Sequence, residues 1–159
     1  MEAYISEKMT FKQAAVPADL NGAAVIGARI KLEKGFRVAI ICSFGDSVAA
    51  VTSFTMNQHD AASGGTSKVL ATSNPYFEKV AAATTFTKVD VSDASVIAPV
   101  TLAADEGIYV FEILAEDLDR DNNFGWFSLD VADSTAAKIM SATYVLHDVR
   151  NLPAYELAV

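Results

Sequence analysis

Apolar residues recur with a period of two along much of this chain, the pattern of strands that bury one face. Ala24, Ile26, Ala28, Ile30 and Leu32 point one way, while Gly27, Arg29, Lys31 and Glu33 point the other. After a turn at EKG, Phe36, Val38, Ile40, Cys42 and Phe44 form a second stripe. The residues between them, Arg37, Ala39, Ile41 and Ser43, are partly apolar, which predicts a central strand. A turn at GDS, residues 45–47, precedes Ala50, Thr52, Phe54 and Met56, which alternate with Val51, Ser53 and Thr55. A three-strand meander is therefore expected from Ala24 to Met56.

Beyond it, residues 57–83 read as irregular or partly helical, because Asn74 before Pro75 favours a turn. Strand chemistry returns at Thr84–Val91, and SDASVIAPVTLAADEG reads as a connection holding one short strand. The clearest strand is GIYVFEILAED, with Tyr109, Phe111 and Ile113 on one face and Val110, Glu112, Leu114 and Glu116 on the other. LDRDNN closes it, and FGWFSLDV is expected as its hairpin partner. Ser134–Met140 offers an N-cap residue and good helix formers, so a short helix or connector is expected before the last strand, SATYVLHDV.

At the start, Thr10–Ala15 reads as a short helix stopped by VPADLNG. Residues 1–22 are thus expected to be an arm or lead-in, and residues 151–159 a C-terminal tail. About seven or eight short strands with little helix imply an all-β fold. The expectation is one domain over residues 1–159, a β-sandwich of jelly-roll type with short helical connectors and extended termini.

Composition narrows the function classes. With 52% hydrophobic and 20% charged residues the chain is expected to fold, and at 159 residues it can bury a core without disulfides. The single cysteine, Cys42, rules out an internal disulfide and reads as a buried, inert thiol. The longest apolar runs, such as VAIIC, fall far below the roughly 20 residues of a membrane span. The N-terminal stretch has neither a basic start nor an apolar centre, so synthesis in a cytoplasm is expected. A net charge of −8 argues against nucleic acid as a partner.

Candidate chemistry is sparse. NQHDAASGGTSK, residues 57–68, has glycines, hydroxyls and a lysine, yet Lys68 lies three residues after Gly65 and is followed by Val69, so it fails as a phosphate loop. His59 beside Asp60 and His147 beside Asp148 read as surface or packing residues, because neighbours on an extended chain point to opposite sides. Asp119, Asp121, Asn123 and Asp130 fall at the first, third, fifth and twelfth positions of a calcium loop, but Phe124 occupies the place of the required glycine. A turn rich in Asp and Asn explains the same letters. Phe124, Trp126 and Phe127 could form a sugar-stacking platform with Asp119 and Asp121, or be ordinary core, with Phe127, Leu129 and Val131 facing inward. With no nucleophile, base and orienter to assemble, neither an enzyme nor a cofactor is expected.

The order of several segments resembles the small jelly-roll decoration or minor virion structural proteins of tailed bacteriophages. These are KGFRVAIICSFG leading into AVTSFTMNQHDAASGGTSKVL, then YVFEILAEDLDRDNNFGWFSLDV, and finally SATYVLHDVRNLP. Gln58, the AASGG segment with Lys68, Leu118–Asp119 and Arg150 occupy the places that carry the likeness, while His59 and the tail after Arg150 match nothing in it. The resemblance implies a virion protein, made in the host cytoplasm, that binds the outside of a capsid built from major capsid protein, with homo-oligomer formation expected. It also implies that termini act as arms, with Leu152, Tyr155 and Leu157 at an interface. The alternative is a carbohydrate-binding sandwich module, dependent on calcium and using an exposed Trp126.

Overall fold

The computed structural model describes residues 9–47, 50–80, 83–98, 106–134 and 136–148. Among the described residues twelve strands run in chain order: β1 Thr10–Asp19, β2 Val25–Ile26, β3 Ile30–Lys31, β4 Phe36–Phe44, β5 Phe54–His59, β6 Ser67–Val69, β7 Tyr76–Val80, β8 Thr87–Val89, β9 Val96–Ile97, β10 Gly107–Leu114, β11 Trp126–Val131 and β12 Ile139–Asp148. They form two antiparallel sheets, one ordered β1-β12-β4-β10-β7-β8 and the other β2-β11-β5-β6, with β3 also on β11 and β9 also on β5. The all-β sandwich expected from the sequence is the architecture found.

Between the sheets lies one hydrophobic cluster. Phe54 of the second sheet sits among Phe44, Tyr109 and Phe111 of the first, with ring centroids 5.9, 5.2 and 4.8 Å away. Burial and the nearby Glu78 carboxyl push the Tyr109 hydroxyl up to about 12. Phe127 and Tyr144 make a second inter-sheet contact at 6.0 Å. Cys42 is buried in this core, as its place in the β4 stripe predicts, and burial pushes its thiol well above the ordinary range.

Several local expectations are corrected. Thr10–Ala15 is not helical: it belongs to β1, which pairs along β12. Helix propensity is a weak prior that pairing overrides, and Pro17 is tolerated because β1 is an edge strand whose register shifts between Ala15 and Ala18. Residues 10–19 are thus part of the first sheet. The meander from Ala24 to Met56 does not form, because β4 joins the first sheet while β2, β3 and β5 join the second. Residues 57–83, expected to be irregular, contain the end of β5 and all of β6 and β7.

FGWFSLDV is not the hairpin partner of GIYVFEILAED, since β10 pairs with β4 and β7 while β11 pairs with β2, β3 and β5. The loop between them crosses from one sheet to the other. It does so because Leu118 and Phe124 bury their side chains, and Arg120 bridges to the carbonyls of Ala115 and Leu32. Around Ser134–Met140 no helix forms among the described residues: Ser134 Oγ donates to the Ala136 carbonyl at 2.6 Å, and Ile139 already begins β12.

Gly27 holds the second sheet together at a point of close approach. Its N–H donates to the Leu129 carbonyl at 3.0 Å, and a Cβ there would stand 2.3 Å from that oxygen. The Leu129 N–H in turn donates to the Tyr144 hydroxyl at 3.1 Å, tying the second sheet to the first through a buried hydrogen bond. Among the described residues, no helix is long and apolar enough to cross a membrane.

Candidate functional site

Alternation in a strand assigns every second side chain to the core, so the remaining residues define what the sheet shows to the outside. On the first sheet the register aligns Gln13, Thr143, Ile41, Val110, Phe77 and Lys88 in one row across all six strands. The adjacent row is Phe11, Val145, Ala39 and Glu112, and on the other side lie Ser141, Ser43, Ile108 and Lys79. The centre of this face carries no charge: Ala39, Ile41 and Val110 are half-buried there and Val145 is buried, beside the hydroxyls of Thr143, Ser141 and Ser43. Phe11 and Ile139 remain 52% exposed and Phe77 36%, which is high for side chains of this size.

Charge gathers towards the borders. Arg37 and Glu112 pair at 3.2 Å at one end, and Lys88 pairs with Asp90 at 2.7 Å beyond β7. Two open hollows flank the apolar centre. One, about 220 Å³, is lined by Arg37, Asn74, Pro75, Phe77, Glu112 and Leu114. The other, about 240 Å³, is lined by Ser43, Phe44, Lys79, Glu106, Gly107 and Ile108. Each is large enough to receive a side chain from a partner, the arrangement in which interface anchors gain most.

The outer face of the second sheet also exposes Ile26, Val69 and Val96, but its middle is polar. His59 of β5 is buried, with Nδ1 at 2.6 Å from Ser67 Oγ on β6 and Nε2 at 3.0 Å from Ser128 Oγ on β11. Burial, then the nearby Arg29 charge, hold the imidazole below its ordinary value, with Asp60 opposing. Asp130 accepts from Asn57 Nδ2 at 2.8 Å and from the Gly27 N–H at 3.3 Å. Its carboxyl is raised by burial, against the hydrogen bonds from Gly27, Ser128 and Asn57 and the charge of Arg29. Arg29 reaches over the glycine loop to the carbonyls of Ala61 and Gly64 and to Ser67 Oγ, at 2.9, 2.7 and 3.2 Å.

The metal-ligand candidates of the sequence are not brought together. Asp119 is engaged by Lys68 and Asn122, and hydrogen bonds from the two, Lys68 first, hold its carboxyl below the usual range. Asn123 adopts a left-handed conformation at the end of a single turn of 3-10 helix over Arg120–Asn122 that contains Asp121. Asp130 belongs to the β11 network described above. Among the described residues no group of three or more metal-ligating side chains occurs. The aromatic platform does not assemble either: Phe124 and Phe127 are buried, and only Trp126 is partly open. Phe124 instead lies under the Lys68 ammonium, 4.5 Å from the ring centroid.

No known family, curated protein or solved structure matches this chain. Leu152, Tyr155 and Leu157 lie outside the described residues.

Sequence reasoning missed two of these features. The outer apolar row was visible in part, as Ala39 and Ile41 between the core residues of β4, but only the register shows that it continues through Val110 and Phe77. The His59 network was missed because its partners are 8 and 69 residues away. The spacing of His59 and Ser67 about a glycine loop, once read as a hairpin, is the signal that would have found half of it.

Proposed function

We propose that this protein is a non-enzymatic structural protein of a bacteriophage virion, a jelly-roll decoration or minor capsid protein that binds the outside of an assembled shell. It docks through the outer face of its first sheet onto major capsid protein and forms a homo-oligomer there. The observation that carries this reading is the uncharged row Thr143–Ile41–Val110–Phe77 on a protein whose net charge is −8.

A chain this acidic keeps its copies apart in solution, while an apolar, charge-poor patch gains free energy only when covered. The acidic balance also suits the outside of a shell better than a surface facing packaged nucleic acid. A sheet face of six strands offers enough breadth for the roughly 1,000 Å² that a specific interface needs. Repetition over a lattice multiplies a modest contact per copy.

The test is cosedimentation of purified protein with assembled shells stripped of it. Wild type is expected to pellet with the shells, and the double variant Ile41→Lys/Val110→Glu to lose at least about tenfold in affinity while keeping its fold. Equal binding by both, or no binding by wild type in mild salt, would overturn the reading.

A further inference from the structure

The polarity of the hydrogen bonds around His59 can be deduced link by link. Asp130 accepts a hydrogen bond from the Ser128 hydroxyl. Ser128 Oγ, its proton committed there, is left as an acceptor towards His59 Nε2 at 3.0 Å. Nε2 therefore carries the imidazole proton, and Nδ1 presents a lone pair. At 2.6 Å from Nδ1 lies Ser67 Oγ, which accepts from Arg29 Nη2, a donor-only group, at 3.2 Å. The Ser67 proton thus points at Nδ1.

We propose that Ser67 is an activated nucleophile, a site that accepts an acyl group from a small activated ester onto its Oγ. A nucleophile in hydrogen-bond reach of a base, with that base held by a third group, is the general signature of such chemistry. Here the order is Ser67, His59, Ser128 and Asp130. His59 is buried while Ser67 is exposed, so the base is sheltered and the nucleophile reachable. The lowered imidazole stays neutral at neutral pH and is free to take a proton.

In the reaction Ser67 Oγ forms a bond to the ester carbonyl carbon as its proton moves to His59 Nδ1. The bond from that carbon to the leaving oxygen then breaks, and the alcohol or phenol departs with the electron pair. The imidazolium gives its proton to the leaving group or to water, restoring the neutral ring. Arg29 Nη2 donates to Ser67 Oγ at 3.2 Å, which keeps the Ser67 proton turned towards His59.

The surroundings are built to hold this geometry. Arg29 is fixed by the Ala61 and Gly64 carbonyls, and the loop is closed by Thr66 N–H donating to Asp60 Oδ1 at 2.8 Å. Gly65, at φ +64°, leaves no room for a Cβ, which would stand 2.1 Å from Asp60 Oδ1. The site lies on the second sheet, away from the proposed docking face, so either proposal can fail without the other.

The experiment treats the full chain with p-nitrophenyl acetate and, separately, with a fluorophosphonate probe, and locates the adduct by peptide mass spectrometry. The expected result is a stoichiometric burst of p-nitrophenol and one adduct, on Ser67, absent from Ser67→Ala. The rate should rise with deprotonation of His59 below pH 6.5 and then level off. His59→Gln should slow it by about a hundredfold or more. Asp130→Asn, which keeps the shape of the side chain, should also slow it, with folding of each variant checked by thermal denaturation. No adduct above the Ser67→Ala background, equal adducts on Ser63 or Thr66, or a rate that climbs with hydroxide through pH 9 would overturn the proposal.

Discussion

On the outside of the first sheet, Ile41 stands between Thr143 and Val110, and Phe77 follows at the next strand. On the outside of the second, His59, Ser67, Ser128, Asp130 and Asn57 occupy equivalent outward positions, and each has a hydrogen-bond partner among the others. The middles of the two faces answer the same geometrical problem in opposite ways. The hydrogen-bonded middle of the second face is satisfied sideways and is complete without a partner, while Ile26, Val69 and Val96 stay exposed around it. An apolar face has no sideways bonds to make, so its stabilisation is realised only when something covers it. Substitutions on the second face should therefore cost stability, and substitutions on the first should cost binding.

The largest expected effect is at Gly27, just after β2, where the chain lies close against β11. Gly27→Ala puts a methyl group against the Leu129 carbonyl and should destabilise the fold by about 3 kcal/mol, the upper range for forced overpacking. It should also shift Arg29 away from the glycine loop, since the two residues share one short segment. Urea denaturation reads the loss. A Gly27→Ala midpoint equal to wild type would show that the second face does not depend on that close approach.

Next comes the direct comparison of the two faces. Ser128→Ala removes a buried hydroxyl between His59 and Asp130 and should cost about 2 kcal/mol, because a buried acceptor and donor lose their partner. Ile41→Thr, at a half-buried position of the first face, should cost less, about 1 kcal/mol. Its larger effect should appear in shell binding. Equal destabilisation by the two would erase the distinction between the faces.

A smaller effect distinguishes the faces by pH. His59 has a folded-state pKa below its ordinary value of 6.5, so the unfolded chain binds its proton more readily. Stability from this group is present above pH 6.5 and is lost as pH falls from there through the lowered value, by at most about 1.4 kcal/mol per pH unit. Asp130 has the opposite sign: its raised carboxyl favours the folded state as pH falls towards 3.8. Denaturation midpoints between pH 7.5 and 5.5 should therefore decline in wild type and flatten in His59→Gln. A decline of the same slope in both would place the titrating group elsewhere.

How far the sequence revealed this arrangement depends on the range of the interactions involved. β4 and β10 were legible because their alternation is local, and Phe36–Phe44 and Tyr109–Ile113 bury the residues that the pattern selects. Period two says that a face is buried, but not against which sheet. Hence β10 and β11 read as a hairpin although the crossing loop separates them, and β4 and β5 read as neighbours although they lie in different sheets. β1 was hidden because Thr10–Ala15 has good helix formers and only β12, more than a hundred residues on, pulls it into a strand. The His59 network needed the register of three strands at once, β5 against both β6 and β11.

The smallest effect concerns the acidic loop, whose letters most resemble a cation site. Lys68 and Asp119 form an ion pair with partly exposed side chains, and the Lys68 ammonium also lies over Phe124. That cation occupies the carboxylate that a calcium ion would need first, while Asp130 is held by Asn57 and the Gly27 N–H in a different part of the second sheet. Lys68→Met should therefore keep the stem packed on Phe124 and change the denaturation midpoint little, since an exposed pair contributes little. Asp119 is held below its ordinary value by Lys68, so whatever the pair adds is present above pH 3.8 and lost as pH falls through the lowered value. Added calcium should shift the midpoint of neither wild type nor Lys68→Met. A calcium-dependent rise in Lys68→Met alone would mean that the loop is a cation site which the lysine fills, and would turn the least energetic feature of the second sheet's border into one that binds.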